Sequence, residues 1–302
     1  MAKLRRNHGS GSRSGGFGAS LWRIFLLLVL LGAALLWLFV SPGSSAPSGE
    51  GTGFHESDNN GANTSRDYLP TGPSDQVIDH QFYSLGYDED WEQARWVAYR
   101  LTPKQVSNRR AKRRDDFRPD RAVRTGSADR EDYRRSGYSR GHLVPAGDMS
   151  FDEVAMNETF LYSNMSPQLA GHNGAVWREL EETVRDWVRT QGTTYIVTGP
   201  IIGRRPQRIG ANQVAVPEAF YKVLLREDGE AIGFIIPHEV QRDRLGEFAV
   251  SIDEVEQHTG LDFFPELPQL ATDEVEAGYD LDEWPDDNAR YQRRINSWNR
   301  QR

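Results

Sequence analysis

Residues 136–149 read SGYSRGHLVPAGDM, and this stretch determines how the rest of the chain is interpreted. Its histidine, His142, follows Arg140 and Gly141 at the end of a strongly basic region. An imidazole titrates near neutral pH, so it can take a proton from a water molecule beside a bound phosphate. A lone histidine is more often structural, and the flanking segments have to decide between the two interpretations.

The basic region comprises residues 100–140. It contains 14 Lys or Arg against six Asp or Glu, although the whole chain carries a formal net charge of -8. Cationic residues interleaved with aromatic ones, here Phe117, Tyr133 and Tyr138, are typical of surfaces that bind a phosphate backbone. A solvated basic loop is the alternative interpretation.

Two further segments follow, FLYSNMSPQ at 160–168 and HNGAVWRELE at 172–181. Hydrolysis of a phosphodiester requires a base, a cation for the developing charge and positive charge near the phosphate. In this order and spacing, the three segments resemble the DNA/RNA non-specific endonuclease family, the ββα-metal nucleases. Further blocks of resemblance lie at 96–102, 113–120, 195–202, 217–225 and 251–264, so the resemblance covers roughly residues 78–268.

The resemblance implies roles for four polar residues. His142 stands where the family has its general base, and Asn173 stands where it has its protein ligand to Mg²⁺, with Mn²⁺ as the second candidate metal. Glu181 matches the acid that orients metal-bound water, and Asn164 matches an asparagine that shapes the site. Asparagine oxygens are neutral, hard ligands and suit Mg²⁺.

The resemblance also assigns the arginines. The arginine that contacts phosphate matches Arg113 or Arg114, and we favour Arg114, with Arg110 as a further substrate contact. Arg140 is expected to support the site. The family signature usually reads Asp-Arg-Gly-His, and Ser139 replaces the aspartate here. Because a serine retains a hydrogen-bonding group, we expect activity to survive.

The pattern of the remaining chain predicts an α+β domain. Alternating or apolar runs predict strands at 94–102, 194–202, 220–225 and 231–237, and apolar residues at helical spacing predict a helix at 174–189. Trp177, Leu180 and Trp187 of this helix are expected in the core, and Asp253 is expected to cap a second helix that ends near Gly260. The resemblance adds the ββα-metal (His-Me finger) fold, with a largely antiparallel central sheet flanked by helices.

The N-terminal region predicts a single membrane anchor. Residues 1–20 are basic, and residues 21–40 contain an uncharged apolar run flanked by Trp22 and Trp37. Positive charge on the N-terminal side predicts an inner- or plasma-membrane protein with its catalytic domain outside the cytoplasm, and cleavage of this segment would release it. Residues 41–77 are predicted as a flexible linker, 78–270 as the nuclease domain and 271–302 as an acidic and then basic tail that is solvated.

The predicted function is Mg²⁺-dependent, non-specific hydrolysis of DNA and RNA that leaves 5′-phosphate and 3′-hydroxyl ends. The resemblance further implies a homodimer, since members of the family are often dimeric. A 5′-exonuclease of the same family and a non-catalytic nucleic-acid-binding surface protein are the alternatives. The chain has no cysteine, which excludes thiolate metal sites, disulfides and cysteine nucleophiles.

Overall fold

The computed structural model describes residues 66–299, and a seven-stranded sheet forms the centre of this region. Its strand order is β1-β2-β3-β6-β9-β10-β11, and every neighbouring pair is antiparallel. The strands of the described region are β1 (Gln76–Asp79), β2 (Ser84–Asp88), β3 (Gln93–Leu101), β4 (Ser139–His142), β5 (Met165–Gln168), β6 (Thr194–Ile201), β7 (Arg208–Ile209), β8 (Val214–Ala215), β9 (Ala219–Arg226), β10 (Ala231–Pro237) and β11 (Ala249–Val250). The expected α+β class with a central antiparallel sheet is therefore confirmed.

Helices and tighter turns pack around this sheet. The α-helices are α1 (Pro103–Ser107), α2 (Arg130–Tyr133), α3 (Glu153–Glu158), α4 (Arg178–Gln191), α5 (Ile252–Thr259), α6 (Asp273–Ala277) and α7 (Asn288–Asn299). Short 3₁₀ turns lie at Tyr162–Asn164, Leu245–Phe248 and Leu281–Glu283, and a π-helical turn at His172–Trp177 leads directly into α4.

Both faces of the sheet are buried, and the residues of strand β9 therefore alternate between two hydrophobic cores. In β9, Phe220 and Leu224 belong to the core that contains α4, whereas Tyr221, Val223 and Leu225 belong to the core that contains α5. Since successive side chains of a strand point to opposite faces, two apolar sets produce an apolar run rather than a polar–apolar alternation.

Helix α4 covers one face of the sheet. Trp177 and Leu180 are fully buried and Trp187 is nearly so, all three within one core, which confirms their predicted place. On the opposite face, Ser251 rather than Asp253 caps α5. The side chain of Ser251 accepts a hydrogen bond from the backbone N–H of Glu254, so the helix begins two residues earlier than the aspartate indicated.

Strand β6 continues through Gly199 and Pro200, although such a pair commonly interrupts a strand. Beyond Thr198, β6 pairs only with β9, so the missing N–H of Pro200 faces no strand partner on the other side. A Cβ on Gly199 would lie 2.1 Å from the carbonyl oxygen of Arg95, so only glycine fits there.

A small hairpin carries the signature segment next to this sheet. Strands β4 and β5 pair antiparallel, with Ser139 opposite Gln168 and His142 opposite Met165. The π-helical turn and α4 follow β5, so the chain runs strand, strand, helix through this part of the fold. This part of the fold holds Arg140, His142, Asn173 and Glu181, whereas Arg110, Arg113 and Arg114 lie in a preceding loop.

The two ends of the described region pack against the domain. Tyr68 is fully buried, and Thr71 exchanges two backbone hydrogen bonds of 2.9 Å with Asp262, although both residues precede the predicted domain boundary at 78. After residue 270, Trp284 is buried with its ring 5.2 Å from that of Trp187. The C-terminal segment therefore differs from the expected solvated tail, because an apolar side chain anchors it.

The predicted membrane anchor at 21–40 and most of the predicted linker lie outside the described residues. Within residues 66–299, no helix is long and apolar enough to cross a membrane.

Candidate active site

His142 lies at the end of β4 in an aromatic enclosure. Its side chain is largely buried, and its ring centroid is 5.8 Å from that of Phe117 and 5.1 Å from that of Phe160. Burial, together with the guanidinium groups of Arg113 and Arg140, lowers the pKa of His142 to about 3. The imidazole is therefore neutral at physiological pH, and its Nε2 has no hydrogen-bond partner among the described residues. A neutral imidazole with a free nitrogen is chemically able to accept a proton.

An arginine-lined groove runs beside this histidine. The groove has a volume of about 740 Å³, and Phe117, whose ring centroid is 5.8 Å from that of His142, forms part of its wall. The guanidinium carbon of Arg140 lies 3.9 Å from the centroid of the Phe117 ring, a cation–π contact that holds the arginine at the wall. The other lining residues include Arg113, Arg130, Arg134, Tyr138 and Ser139.

The three arginines expected to contact substrate occupy different places. Arg113 lines the groove, and its guanidinium lies 5.3 Å from the Phe160 ring. Arg114 is 66% exposed and lies 3.8 Å from Glu153, outside the lining of the groove. Arg110 is exposed and donates to the side chain of Asn108. The geometry therefore favours Arg113 over Arg114 as the phosphate contact, because only Arg113 is near both the groove and His142.

Asn173 lies in the π-helical turn, and its side chain reaches β4. Its Nδ2 donates to Oγ of Ser139 at 3.2 Å, and that hydroxyl donates to the backbone oxygen of Gln168 at 2.8 Å. Because the amide nitrogen is engaged by serine, the carbonyl oxygen of Asn173 is left as the acceptor. A neutral oxygen presented in this way fits a hard divalent cation.

Glu181, eight residues after Asn173, lies on α4. Burial raises the pKa of the Glu181 carboxyl, and the positive charges of Arg185 and Lys222 oppose this rise. Among residues 66–299, no cluster of three or more His, Asp or Glu side chains is arranged to hold a metal. The sequence indicates Asn173 as the candidate metal ligand and Glu181 as the acid that orients water around the metal.

A buried charge network lies behind Glu181. Arg185 forms an ion pair of 2.7 Å with Asp148, which also accepts a hydrogen bond of 2.7 Å from the hydroxyl of Tyr99. Lys222 is almost fully buried on the α4 side of β9, and its ammonium lies 5.2 Å from the Trp177 ring. Burial lowers the pKa of Lys222, and the carboxylates of Glu181 and Asp148 counter that effect.

Asn164 is structural in its contacts. Its Oδ1 accepts from the backbone N–H of Val144 at 2.9 Å, and its Nδ2 donates to the backbone oxygens of Val144 and Thr159 at 3.1 and 2.9 Å. The side chain is fully buried. Three of the four hydrogen bonds that an asparagine side chain can make are thus formed with backbone groups. Asn164 therefore fixes the loop that follows His142 instead of reaching the groove.

Gly141 allows the hairpin to close tightly beside the site. A Cβ at this position would lie 2.2 Å from Oε1 of Gln168, whose side chain is completely buried. The glycine of the signature is therefore required by packing.

The aromatic enclosure and the buried lysine are two features of the site that the sequence does not predict. Phe117 and Phe160 stand in the blocks of resemblance, but nothing in their spacing connects them to His142. Lys222 stands in an apolar run, FYKVLL, where a lone charge is the signal that a specific partner exists inside the protein.

Comparison with known proteins identifies the family. A sequence model of the DNA/RNA non-specific endonuclease family matches residues 60–270. The chain belongs to this family, whose members are nucleic-acid hydrolases.

Individual relatives agree with this assignment. The chain is 35% identical over 218 residues to "Nuclease EXOG, mitochondrial" of Danio rerio, which covers 65% of this chain and 64% of that protein. It is 34% identical over 209 residues to "Endonuclease G, mitochondrial" of Homo sapiens, which covers 64% of this chain and 70% of that protein. The match thus spans less than two thirds of the length of the Danio rerio relative.

A solved structure has a similar fold. A crystal structure of an EndoG/EndoGI complex, concerned with the inhibition of EndoG, matches with a TM-score of 0.60 and 32% sequence identity over 66% of this chain and 89% of that chain. This degree of similarity supports the same core arrangement in both.

The comparisons correct one prediction. The expected location in an inner or plasma membrane, as a single-pass protein, is wrong, because the relatives are named mitochondrial nucleases. That prediction rests only on the basic and apolar pattern of the N-terminal residues. Such a pattern does not distinguish one target membrane from another.

Proposed function

We propose that this protein is a divalent-metal-dependent nuclease that hydrolyses phosphodiester bonds within DNA and RNA. The observation that carries the proposal is the neutral, unpartnered Nε2 of His142 beside a groove lined with arginines. Membership of the DNA/RNA non-specific endonuclease family supports it.

The groove would bind the substrate through its backbone. Arg113 and Arg140 would donate hydrogen bonds to the non-bridging oxygens of the scissile phosphate, since a guanidinium matches phosphate geometry. Contacts to phosphate carry no base information, so we expect little sequence preference. Binding should weaken steeply as salt increases.

His142 would act as the general base. The rings of Phe117 and Phe160 hold the imidazole in place and keep it dry, which favours the neutral form. Its Nε2 would take the proton of a water molecule as that water attacks phosphorus in line with the leaving 3′ oxygen. The products would be a 5′-phosphate and a 3′-hydroxyl end.

Asn173 would hold a Mg²⁺ ion, with Mn²⁺ as the second candidate, and Glu181 would orient water beside it. When bound, the ion supplies positive charge that stabilises the negative charge developing around the phosphate. Ser139 would keep the amide of Asn173 turned so that its oxygen faces the ion.

Closed circular DNA gives the decisive test of the proposed function. The full-length chain with Mg²⁺ should convert the supercoiled form to nicked and linear forms, and His142→Ala should reduce the rate by at least about 10²-fold. His258→Ala is the matched control, because this histidine is exposed on α5 and should leave the rate unchanged.

Other outcomes would redirect the assignment. Digestion of linear DNA with the circle left intact would indicate a 5′-exonuclease. Salt-sensitive binding of both substrates without cleavage would indicate a binding protein and would overturn the role of His142.

A further inference from the structure

A second cavity lies where α7 packs against the beginning of α4. Its volume is about 380 Å³, and none of the residues that line it also lines the groove. Gly174 forms part of its wall and directly follows Asn173 in the π-helical turn. The cavity is therefore next to the candidate cation site but separate from the groove.

Two of the four arginines around this cavity are engaged. Arg294 is buried and donates to Glu179 at 2.6 Å and to the backbone oxygens of Gln241 and Asp243. Arg290 forms ion pairs with Glu182 at 3.4 Å and with Asp186. The carboxylates at the wall, Glu179 and Glu182, are thus already paired with cations from α7.

The other two arginines, Arg178 and Arg293, keep their charges available. Arg178 is 66% exposed, and its one ion pair in the described region, with Glu182, is long at 3.9 Å and beyond hydrogen-bonding distance. Arg293 is exposed and has no ion pair or hydrogen bond with any other residue of the described region. Two guanidinium groups that line one open cavity suit a phosphate, because each can donate two parallel hydrogen bonds to its oxygens.

We propose that this cavity binds a phosphate of the substrate strand beyond the scissile bond, through Arg178 and Arg293; the proposal rests on the proposed nuclease function. Five residues separate Asn173 from Arg178, about 7 Å along a helix axis, which a nucleic-acid strand covers in roughly two nucleotides. Strands long enough to reach both sites would gain affinity that a dinucleotide cannot.

The second subsite includes a residue outside the family match. The match ends at residue 270, whereas Arg293 lies on α7. Ion pairs of Arg290 and Arg294 hold α7 against α4, so the helix is fixed where its free arginine faces the cavity. The C-terminal segment would thereby extend the binding surface of the core fold.

Salt-dependent binding tests the proposal directly. A fluorescent single-stranded 20-mer is titrated by anisotropy at several salt concentrations into the full-length His142→Ala chain, which should bind without cutting. Arg178→Gln and Arg293→Gln, made in that background, should each weaken binding roughly threefold to tenfold and reduce the slope of log affinity against log salt by ~0.7. Arg66→Gln is the matched control, because Arg66 is exposed and pairs with Asp79 on the edge strand β1.

Cleavage gives an independent readout. With His142 intact, both substitutions should lower kcat/KM for the 20-mer more than kcat/KM for a dinucleotide. A salt slope equal to that of Arg66→Gln would overturn the proposal. An equal proportional loss on both substrates would also overturn it, because a disturbed α4 rather than a lost phosphate contact would then be responsible.

Two further outcomes separate the alternatives. If inorganic phosphate raises the melting temperature of the chain while the 20-mer slope does not change in the variants, the cavity takes a free anion and the proposal is wrong. If the unsubstituted chain cleaves nothing, the proposed nuclease function fails, and the slopes from the binding titration still decide whether the phosphate subsite exists.

Discussion

The side-chain amide of Asn173 donates to the hydroxyl of Ser139 at 3.2 Å, and this bond joins the π-helical turn to the strand that carries His142. The usual aspartate of the signature would accept the same bond. Serine therefore preserves the orientation of Asn173 and omits a negative charge next to the candidate cation site. The replacement at this position is compatible with a working site.

We predict that Ser139→Ala raises the Mg²⁺ concentration needed for cleavage and has a smaller effect on kcat. Without the hydroxyl, the amide of Asn173 loses a fixed partner worth about 1 kcal/mol, so the half-saturating Mg²⁺ concentration should rise roughly fivefold. Cleavage measured over a range of Mg²⁺ concentrations checks this. Ser136→Ala is the control, since its hydroxyl bonds to the backbone of Tyr133 instead. A fall in kcat at saturating metal with no change in half-saturation would contradict the prediction.

Arg113 and Arg114 form a natural pair for substitution. Arg113→Ala should lower kcat/KM by roughly 10²-fold, because a charged contact to a bound phosphate contributes about 2–3 kcal/mol. Arg114→Ala should lower it less than about threefold, since that side chain is exposed near Glu153. Initial rates on one DNA substrate compare the two variants at fixed salt. If Arg114→Ala has the larger effect on kcat/KM, Arg114 is the phosphate contact, as the sequence predicts.

The imidazole of His142 should stay neutral well into acid. Its pKa is lowered to about 3 in the folded chain, against about 6.5 in the unfolded chain. Between these two values only the unfolded chain binds the proton, so this group makes the free energy of unfolding fall as the pH drops, by up to ~1.4 kcal/mol per unit. An NMR titration of the His142 ring from pH 8 to 4.5 should show no transition, whereas the urea-unfolded chain should titrate normally. A titration midpoint near 6.5 in the folded chain would show that the aromatic rings do not shield the imidazole from water.

Asn164→Ala should act mainly on stability. The substitution removes three buried hydrogen bonds to backbone, which together cost about 2–4 kcal/mol of unfolding free energy. Urea unfolding measures the loss, with Asn157→Ala on α3 as the control, because its side chain makes no hydrogen bond to other described residues. Unchanged stability combined with abolished cleavage would mean that Asn164 contacts the substrate after all.

Substitution of Arg294 and Glu179, which form a buried ion pair, tests how α7 is held against α4. Arg294→Met leaves a buried carboxylate without its partner and should cost about 3–5 kcal/mol. The double variant Arg294→Met/Glu179→Leu should recover much of that loss. Arg189→Met, which breaks an exposed pair with Asp186, should cost less than about 1 kcal/mol. Denaturant unfolding gives all three values, and equal losses in the single and double variants would show that the ion pair is not what matters.

Much of the fold could be predicted from local pattern. Strands such as β3 and β10 and the apolar face of α4 repeat with periods that follow from backbone geometry alone. Helix caps are less certain, because Ser251 and Asp253 both have capping side chains and only the path of the chain selects one. The burial of Trp284 was unpredictable for a similar reason, since its partner Trp187 is almost a hundred residues away.

The candidate site could be predicted only in part. The motifs indicate His142, Asn173 and Glu181 as candidates, but the direction of a side chain is decided by tertiary contacts that sequence spacing does not encode. Arg113 and Arg114 are adjacent and chemically identical, and tertiary contacts distinguish them: Arg113 lines the groove beside the Phe160 ring, whereas Arg114 lies near Glu153. The enclosure of His142, and hence its lowered pKa, depends on Phe117 and Phe160 from separate loops.

The π-helical turn has a consequence for how Asn173 and Glu181 are aligned. Each residue of an α-helix advances by about 100°, so a regular helix would put Glu181, eight residues on, about 80° away from Asn173. In a turn closed by i→i+5 bonds each residue advances by roughly 80°, so five such steps and three α-helical ones total about 700°, close to two complete revolutions. The wider turn absorbs one residue. A separation of eight in the sequence therefore behaves as a separation of seven on the helix, and both oxygen groups come to lie along one line of its surface.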